Sequence, residues 1–177
     1  MKNYTITSVF LLMLTQFAIG QNTLFIGEKA YPCTTKATLL RDKGSSGHDL
    51  GVIIAKNGET AMLVLSTATI SGGIGVRIKG NVLLYLEDGT VITCYDRGKF
   101  DILNNIATSI YYLTKEEIYK LQQSNINSIR FSLKCFECYK SSEEGNFLSS
   151  NQEETGFSFL KIEKSDFPSL ISSLFNN

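Results

Sequence analysis

LGVIIAKNGETAMLVLST (residues 50–67) is two apolar runs set either side of Asn57-Gly58. Asn-Gly readily supplies the positive φ angles of a type I′ turn, whose twist matches that of two antiparallel strands, so this stretch predicts a β-hairpin. VLLYLEDGTVITCY (82–95) repeats the device around Asp88-Gly89. Isolated hairpins are barely stable in water, so two close together point to one shared sheet. Between them GVRIKGN (75–81) reads as a short strand ending at Gly80-Asn81. TLFIGEK (23–29) and KATLLRD (36–42) read as earlier strands separated by Tyr31-Pro32.

The pattern then changes. ATSIYYL (107–113) is β-branched and aromatic, hence a strand, and TKEEIYKLQQSN (114–125) comes directly after it. Thr114 with Glu117 three residues on forms a capping box, which satisfies amides left over at a helix start. Glu116 and Glu117 suit the positive end of the helix dipole. Ile118 and Leu121 share a face, so this helix packs by an apolar edge. INSIRFSL (126–133) returns to strand, with Ile129, Phe131 and Leu133 inward against Arg130 and Ser132. SSEEGNFLSSNQEETG (141–156) is Ser/Glu-rich and reads as a mobile surface loop. GFSFLKIEK (156–164) alternates as a strand does. In SDFPSLISSLFNN, Ser165 is placed to cap, Pro168 lies in the first turn, and Phe167, Leu170, Ile171 and Leu174 fall at helical spacing. No repeat at a solenoid period is present. The expected class is α+β: a mainly antiparallel sheet or open barrel of about eight or nine strands with two short helices.

The first residues, MKNYTITSVFLLMLTQFAIGQN, carry one positive charge at Lys2, an apolar run from Val9 to Leu14, and the small-residue ending Ala18-Ile19-Gly20. This is the layout of a signal peptide (1–20) cleaved after Gly20. The apolar run is broken at Thr15-Gln16, whereas a spanning helix needs roughly 20 apolar residues. No cysteine stands at the cut, which excludes a lipoprotein. The expectation is one exported β-rich domain over 21–177, periplasmic or extracellular, with no stable membrane insertion after cleavage. Loss of Lys2 takes one of 17 cations and leaves 17 anions, a net charge of −1. So small a charge draws in neither nucleic acid nor an anionic membrane.

KCFECYK (134–140) holds Cys135 and Cys138 in a C-x-x-C spacing. A thioredoxin-type centre places the first cysteine at a helix N-terminus, where its pKa falls. The next residues of this chain, YKSSEEGN, carry no helical apolar stripe. Zinc would need a second knuckle, and Cys33 and Cys94 are lone and far apart. The structural reading remains: Cys33, Cys94, Cys135 and Cys138 as disulfide cysteines that pair in one of three ways or stay partly free. In an extended strand, residues three apart face opposite sides, so a bridge between Cys135 and Cys138 requires a turn.

His48, the single histidine, lies in GSSGHDL beside Asp49 and near Ser45 and Ser46. Triads assemble across a fold rather than along six residues, and no G-x-S-x-G elbow is present, so a solvated loop histidine is expected. SGGIG (71–75) lacks the downstream G-K-[ST] of a phosphate cradle. Asp96 and Asp101 flank RGKF in a stretch, YDRGKFD (95–101), that reads as an ion-paired turn, and Glu143-Glu144 sit in the polar loop. Tyr111, Tyr112 and Phe131 read as core. No catalytic residue, metal or cofactor is indicated.

LYLEDGTVI (84–92) together with IYYLTKEEIYKLQQSNINSIRFSL (110–133) resembles a pattern in small exported proteins of unknown function from Bacteroidetes-type Gram-negative bacteria. The likeness spans about half of 21–177 and implies a common fold only. The function expected is a non-catalytic binding module for a protein, peptide or glycan, working through sheet edges or loops. The alternatives are a small hydrolase built from dispersed carboxylates and a lipocalin-like carrier.

Overall fold

The computed structural model describes residues 22–41, 49–69, 76–136, 144–153 and 163–176. The two runs of 50–67 pair as β4 (Leu50–Asn57) and β5 (Thr60–Ala68), in register from Leu50↔Thr67 to Asn57↔Thr60. The loop is Gly58-Glu59, one residue later than the Asn-Gly reading places it. Gly58 has φ +63° and neither neighbour is positive, as in a type II′ turn, which takes glycine first. Gly27-Glu28, with Gly27 at +60°, does the same between β1 (Asn22–Ile26) and β2 (Lys29–Cys33). Residues 23–29 are therefore not one strand. Tyr31-Pro32 lies inside β2, with Pro32 opposite Thr23.

The Asp88-Gly89 hairpin joins β7 (Val82–Leu86) to β8 (Val91–Cys94) by a longer loop than a two-residue turn. Gly89 is left-handed and its N–H donates to Leu86 O at 3.1 Å, while Leu86 N–H reaches Thr90 O at 2.9 Å. The turn with two positive φ angles is Asn104-Asn105 (51° and 60°), which joins β9 (Phe100–Leu103) to β10 (Ile106–Leu113). Asparagine tolerates the left-handed region better than most residues, so this pair can form a type I′ turn without glycine.

Every strand pairing is antiparallel, and nine strands run in the order β8-β7-β11-β12-β3-β4-β5-β10-β9. Here β3 is Ala37–Arg41, β11 Ile126–Cys135 and β12 Gly145–Ser150. Off this path β1 and β2 form a side hairpin, and β6 (Val76–Ile78) pairs with β11. The fold is the expected α+β half-open barrel. One expectation is overturned: much of the supposed loop 141–156 is β12, a central strand. It pairs with β11 from Ser128↔Ser150 to Leu133↔Gly145 and with β3 at Ser149 and Ser150. Its short polar residues conceal a strand whose inward positions are Gly145, Phe147 and Ser149, opposite Leu133, Phe131 and Ile129. Of 156–164, residues up to 162 lie outside the described residues, and Glu163-Lys164 are not strand.

β6 and β7 share one edge of β11, β6 pairing at Leu133–Cys135 and β7 at Ile126–Arg130. The break between them is Gly80, at φ +87°, a conformation that glycine adopts without strain. Asp96 Oδ2 accepts from Gly80 N at 2.8 Å, and Tyr111 Oη donates to Gly80 O at 3.1 Å. Ser109 Oγ, also on β10, donates to Ile78 O at 2.9 Å. Side chains thus fasten β6 to β10 and curl the sheet.

The enclosed face forms one core, from Leu39, Val52, Leu63 and Leu84 to Phe131 and Tyr111. Helices α1 (Lys115–Gln123) and α2 (Phe167–Phe175) pack together and add Ile118, Leu121, Phe167, Ile171 and Leu174 to it. The Thr114–Glu117 capping box is formed as expected. α2 is capped by Asp166 rather than Ser165: Asp166 Oδ1 accepts from Ser169 N at 3.2 Å. Lys56 Nζ donates to Leu174 O at 3.2 Å, a cation at the negative end of that helix. A second cluster (Cys33, Ala55, Met62, Val64) lies on the outer face of β4–β5, where the β1–β2 hairpin covers it with Leu24, Ile26 and Tyr31.

Two asparagines dock α2. Asn151, itself buried, donates through Nδ2 to Ile126 O (2.9 Å) and Ser165 O (2.8 Å), and its Oδ1 accepts from Ser165 N (2.9 Å). Asn125 Nδ2 donates to Ser165 O at 3.0 Å, and its Oδ1 accepts from Phe167 N at 3.1 Å. Removing the Asn151 amide takes from Ser165 N–H its acceptor and from Ile126 O a buried donor, so Asn151→Ala is expected to cost roughly 1–3 kcal/mol in urea unfolding with an unchanged m-value. An unchanged midpoint would show that this amide does not hold the helix.

Candidate functional site

The residues singled out in the sequence do not converge. Ser45, Ser46, His48, 71–75, Cys138 and Glu143 lie outside the described residues. Cys33 and Cys94 end β2 and β8 as buried, free thiols, which rules out a bridge between them. Burial pushes both thiols up. Cys94 reaches about 12, with the Glu117 charge as a smaller contribution, so it stays protonated and a poor nucleophile at neutral pH. Cys135, at the end of β11, is disulfide-bonded, and its backbone N–H donates to Glu144 Oε1 at 2.6 Å.

Among the described residues, 95–101 is not an ion-paired turn. Asp96 spans the amides of Gly80 and Gly98 (2.8 and 2.7 Å), and Asp101 accepts from the N–H of Ile102 at 2.8 Å. Carboxylate-to-amide bonds hold this turn, and β9 starts within it. Tyr111 and Phe131 are core. Tyr112 instead lies half-buried on the outer face, beneath the Arg97 guanidinium at 5.2 Å. No cluster of three or more metal-ligating side chains exists among the described residues.

Sequence reasoning missed the cleft. Along β11 the inward residues Ile129, Phe131 and Leu133 enter the core, so Ser128, Arg130 and Ser132 face outward. Arg130 lies in register with Leu83 of β7 on one side and Leu148 of β12 on the other. Two residues along, Ser128 faces Tyr85. Between Ile126 and Ser128 the β7–β11 register shifts by one, with Asn127 as the extra residue of a bulge. A bulge bends a strand and re-aims its side chains. Here Asn127 and Ser128 both reach an open cleft of about 840 Å³, lined also by Arg41, Tyr85, Leu86, Arg130 and Leu148. A smaller hollow of about 240 Å³, lined by Asn81, Leu83, Thr93 and Ser132, also borders Arg130 and Asn146. Alternation in INSIRFSL is the signal that Arg130 faces out; nothing in it announces the bulge.

Arg130 is exposed and enters no ion pair among the described residues. Arg41, at the end of β3, stacks on Phe147 at 4.1 Å. Ser132 Oγ donates to Asn146 Oδ1 at 2.6 Å, which leaves the Asn146 NH2 directed to solvent. The described lining of both hollows contains no carboxylate, thiol or imidazole.

Fold and cleft together define an α+β half-barrel with a cationic cleft lined by residues of β3, β7, β11 and β12. No family model, curated protein or solved structure matches the chain.

Burial of Cys33 and Cys94 predicts that iodoacetamide leaves both unmodified in the folded protein and labels both in denaturant, as read by peptide mass mapping. Rapid labelling of Cys94 in the native state would contradict its place in the core.

Proposed function

We propose that this chain is an exported, non-catalytic binding module whose ligand occupies the cleft across β7, β11 and β12. One observation carries the reading: the Asn127 bulge gathers amide, hydroxyl and guanidinium groups into one open hollow without a carboxylate, thiol or imidazole among its described lining residues. Such a lining offers many hydrogen-bonding contacts, yet the Ser128 and Tyr85 hydroxyls have no base in it to activate them. A glycosidase would need two carboxylates across the ligand. A lipocalin-like carrier would need an interior cavity where the core side chains pack. Residues 145–150, read from the sequence as part of an adaptable loop, serve this site instead as a rigid wall, β12.

Export rests on the 1–20 segment and on the resemblance of 84–92 and 110–133 to small exported proteins. The disulfide at Cys135 suits an oxidising compartment. Intact mass of the protein recovered from periplasm or medium is expected to begin at Gln21. A mature species that keeps Met1 through Gly20 would refute export by this route.

For the cleft, the pure protein is expected to bind at least one member of a panel of defined peptides and oligosaccharides without turning it over. Leu148→Trp, which fills the hollow from a half-exposed position, is expected to weaken that binding about tenfold with the unfolding midpoint little changed. Turnover abolished by Ser128→Ala or Tyr85→Phe would replace the binding reading with an enzymatic one.

A further inference from the structure

We infer that the cleft takes a saccharide bearing carboxylate groups. The inference rests on the binding reading above and specifies its ligand.

The position of the cleft decides how a ligand is read. Through this stretch β11 has β7 on one edge and β12 on the other. Its backbone N–H and C=O groups are therefore engaged in the two ladders, and β11 itself offers no edge for strand addition. Side chains must do the recognising. Those present are Asn127, Asn146, Ser128, Tyr85 and Arg130, with Thr93 and Ser132 alongside. Amides and hydroxyls both donate and accept, as sugar hydroxyls do. The carbon surface beside them, from Tyr85, Leu86, Phe147 and Leu148 of the cleft and Leu83 of the smaller hollow, can pack against the apolar face of a sugar ring while the polar groups take its hydroxyls.

Charge sets the second requirement. Arg130 stands between two leucines, which cannot neutralise it. Of the acids near the β7–β8 turn, Glu87 pairs with Lys164, while Asp88, whose Oδ1 accepts from Thr90 N at 2.8 Å, keeps its charge but is not among the described lining residues. That amide also holds the Asp88 carboxyl below its usual range. Arg130 and Asn146 both bring N–H donors to the same face of β11–β12, and no carboxylate stands among the described lining residues. A planar carboxylate meets a guanidinium fork with two parallel hydrogen bonds, and the ring hydroxyls beside it fall to the amides and Ser128.

The test is calorimetric titration of the purified chain, residues 21–177, with four probes. Two are carboxylated, oligogalacturonate and oligosialate. The third is fully methyl-esterified oligogalacturonate, and the fourth poly-L-glutamate of matched charge. Binding of at least one carboxylated saccharide is expected, about tenfold or more tighter than the ester or the polypeptide. Arg130→Gln is expected to remove that preference and Arg130→Lys to restore part of it, with unfolding midpoints unchanged. Equal affinity for ester and acid, tighter binding of poly-L-glutamate, or binding indifferent to Arg130→Gln would each overturn the inference. So would no binding of either carboxylated saccharide. If another ligand of the wider panel still binds and Leu148→Trp weakens it, the binding reading survives that failure. If Leu148→Trp leaves every observed binding intact, the binding reading fails as well.

Discussion

A row of nine antiparallel strands twists, but nothing in its ladders obliges its distant members to meet. Here they meet at Gly80, whose two backbone polar groups are held from different directions. Asp96, just beyond β8, takes the N–H, and Tyr111 of β10 donates to the C=O. Because β10 stands eighth in the sheet order and β11, with which β6 and β7 pair, stands third, this clasp reaches across the four strands between them. It works only because glycine accepts the left-handed turn there, which lets β6 leave the line of β7 and lean on β10. The enclosed core, the helical plug and the convexity of the outer face all depend on that closure.

The two outer faces meet different fates. Over β4–β5–β10 the face carries Ile53, Met62, Val64, Ile110 and Tyr112, and the β1–β2 hairpin covers it. Over β7–β11–β12 it carries Arg130, Ser128, Asn146 and half-exposed leucines, and no described strand or helix lies on it. Strand composition records the difference. VIIA and AMLVL are apolar on consecutive residues because both sides are buried, whereas SIRFSL alternates because one side is wet. The cleft belongs on the alternating strands for this reason.

Local chemistry in the sequence was legible wherever one element decides its own shape. The Thr114 cap, the apolar edge of α1 and the inward set of β11 are settled by neighbours within a few residues. Turn positions were less so. Gly58 and Gly27 each open a two-residue loop, and only pairing register distinguishes that from Asn-Gly closing one. β12 escaped altogether, because GNFLSS has few β-formers and owes its strand to partners on β11 and β3, none of which adjoins it in sequence. The site was illegible for the same reason. Arg130 looks like an ordinary outward residue until Leu83, Leu148 and the bulge at Asn127 are placed around it, and each comes from a register that no local pattern encodes.

The docking of α2 has a consequence for how the chain is made. Asn125 and Asn151 have no backbone to grip until Ser165 and Phe167 exist, and the core lacks Ile171 and Leu174 until synthesis has passed them. The N-terminal hairpin likewise waits for β10, since Ile110 and Tyr112 are part of the surface it covers. Contacts so distant along the chain fold slowly, because long loops must close before any of them contributes. A ribosome-bound chain can form its local hairpins early, but completes this core only when nearly all of it has emerged.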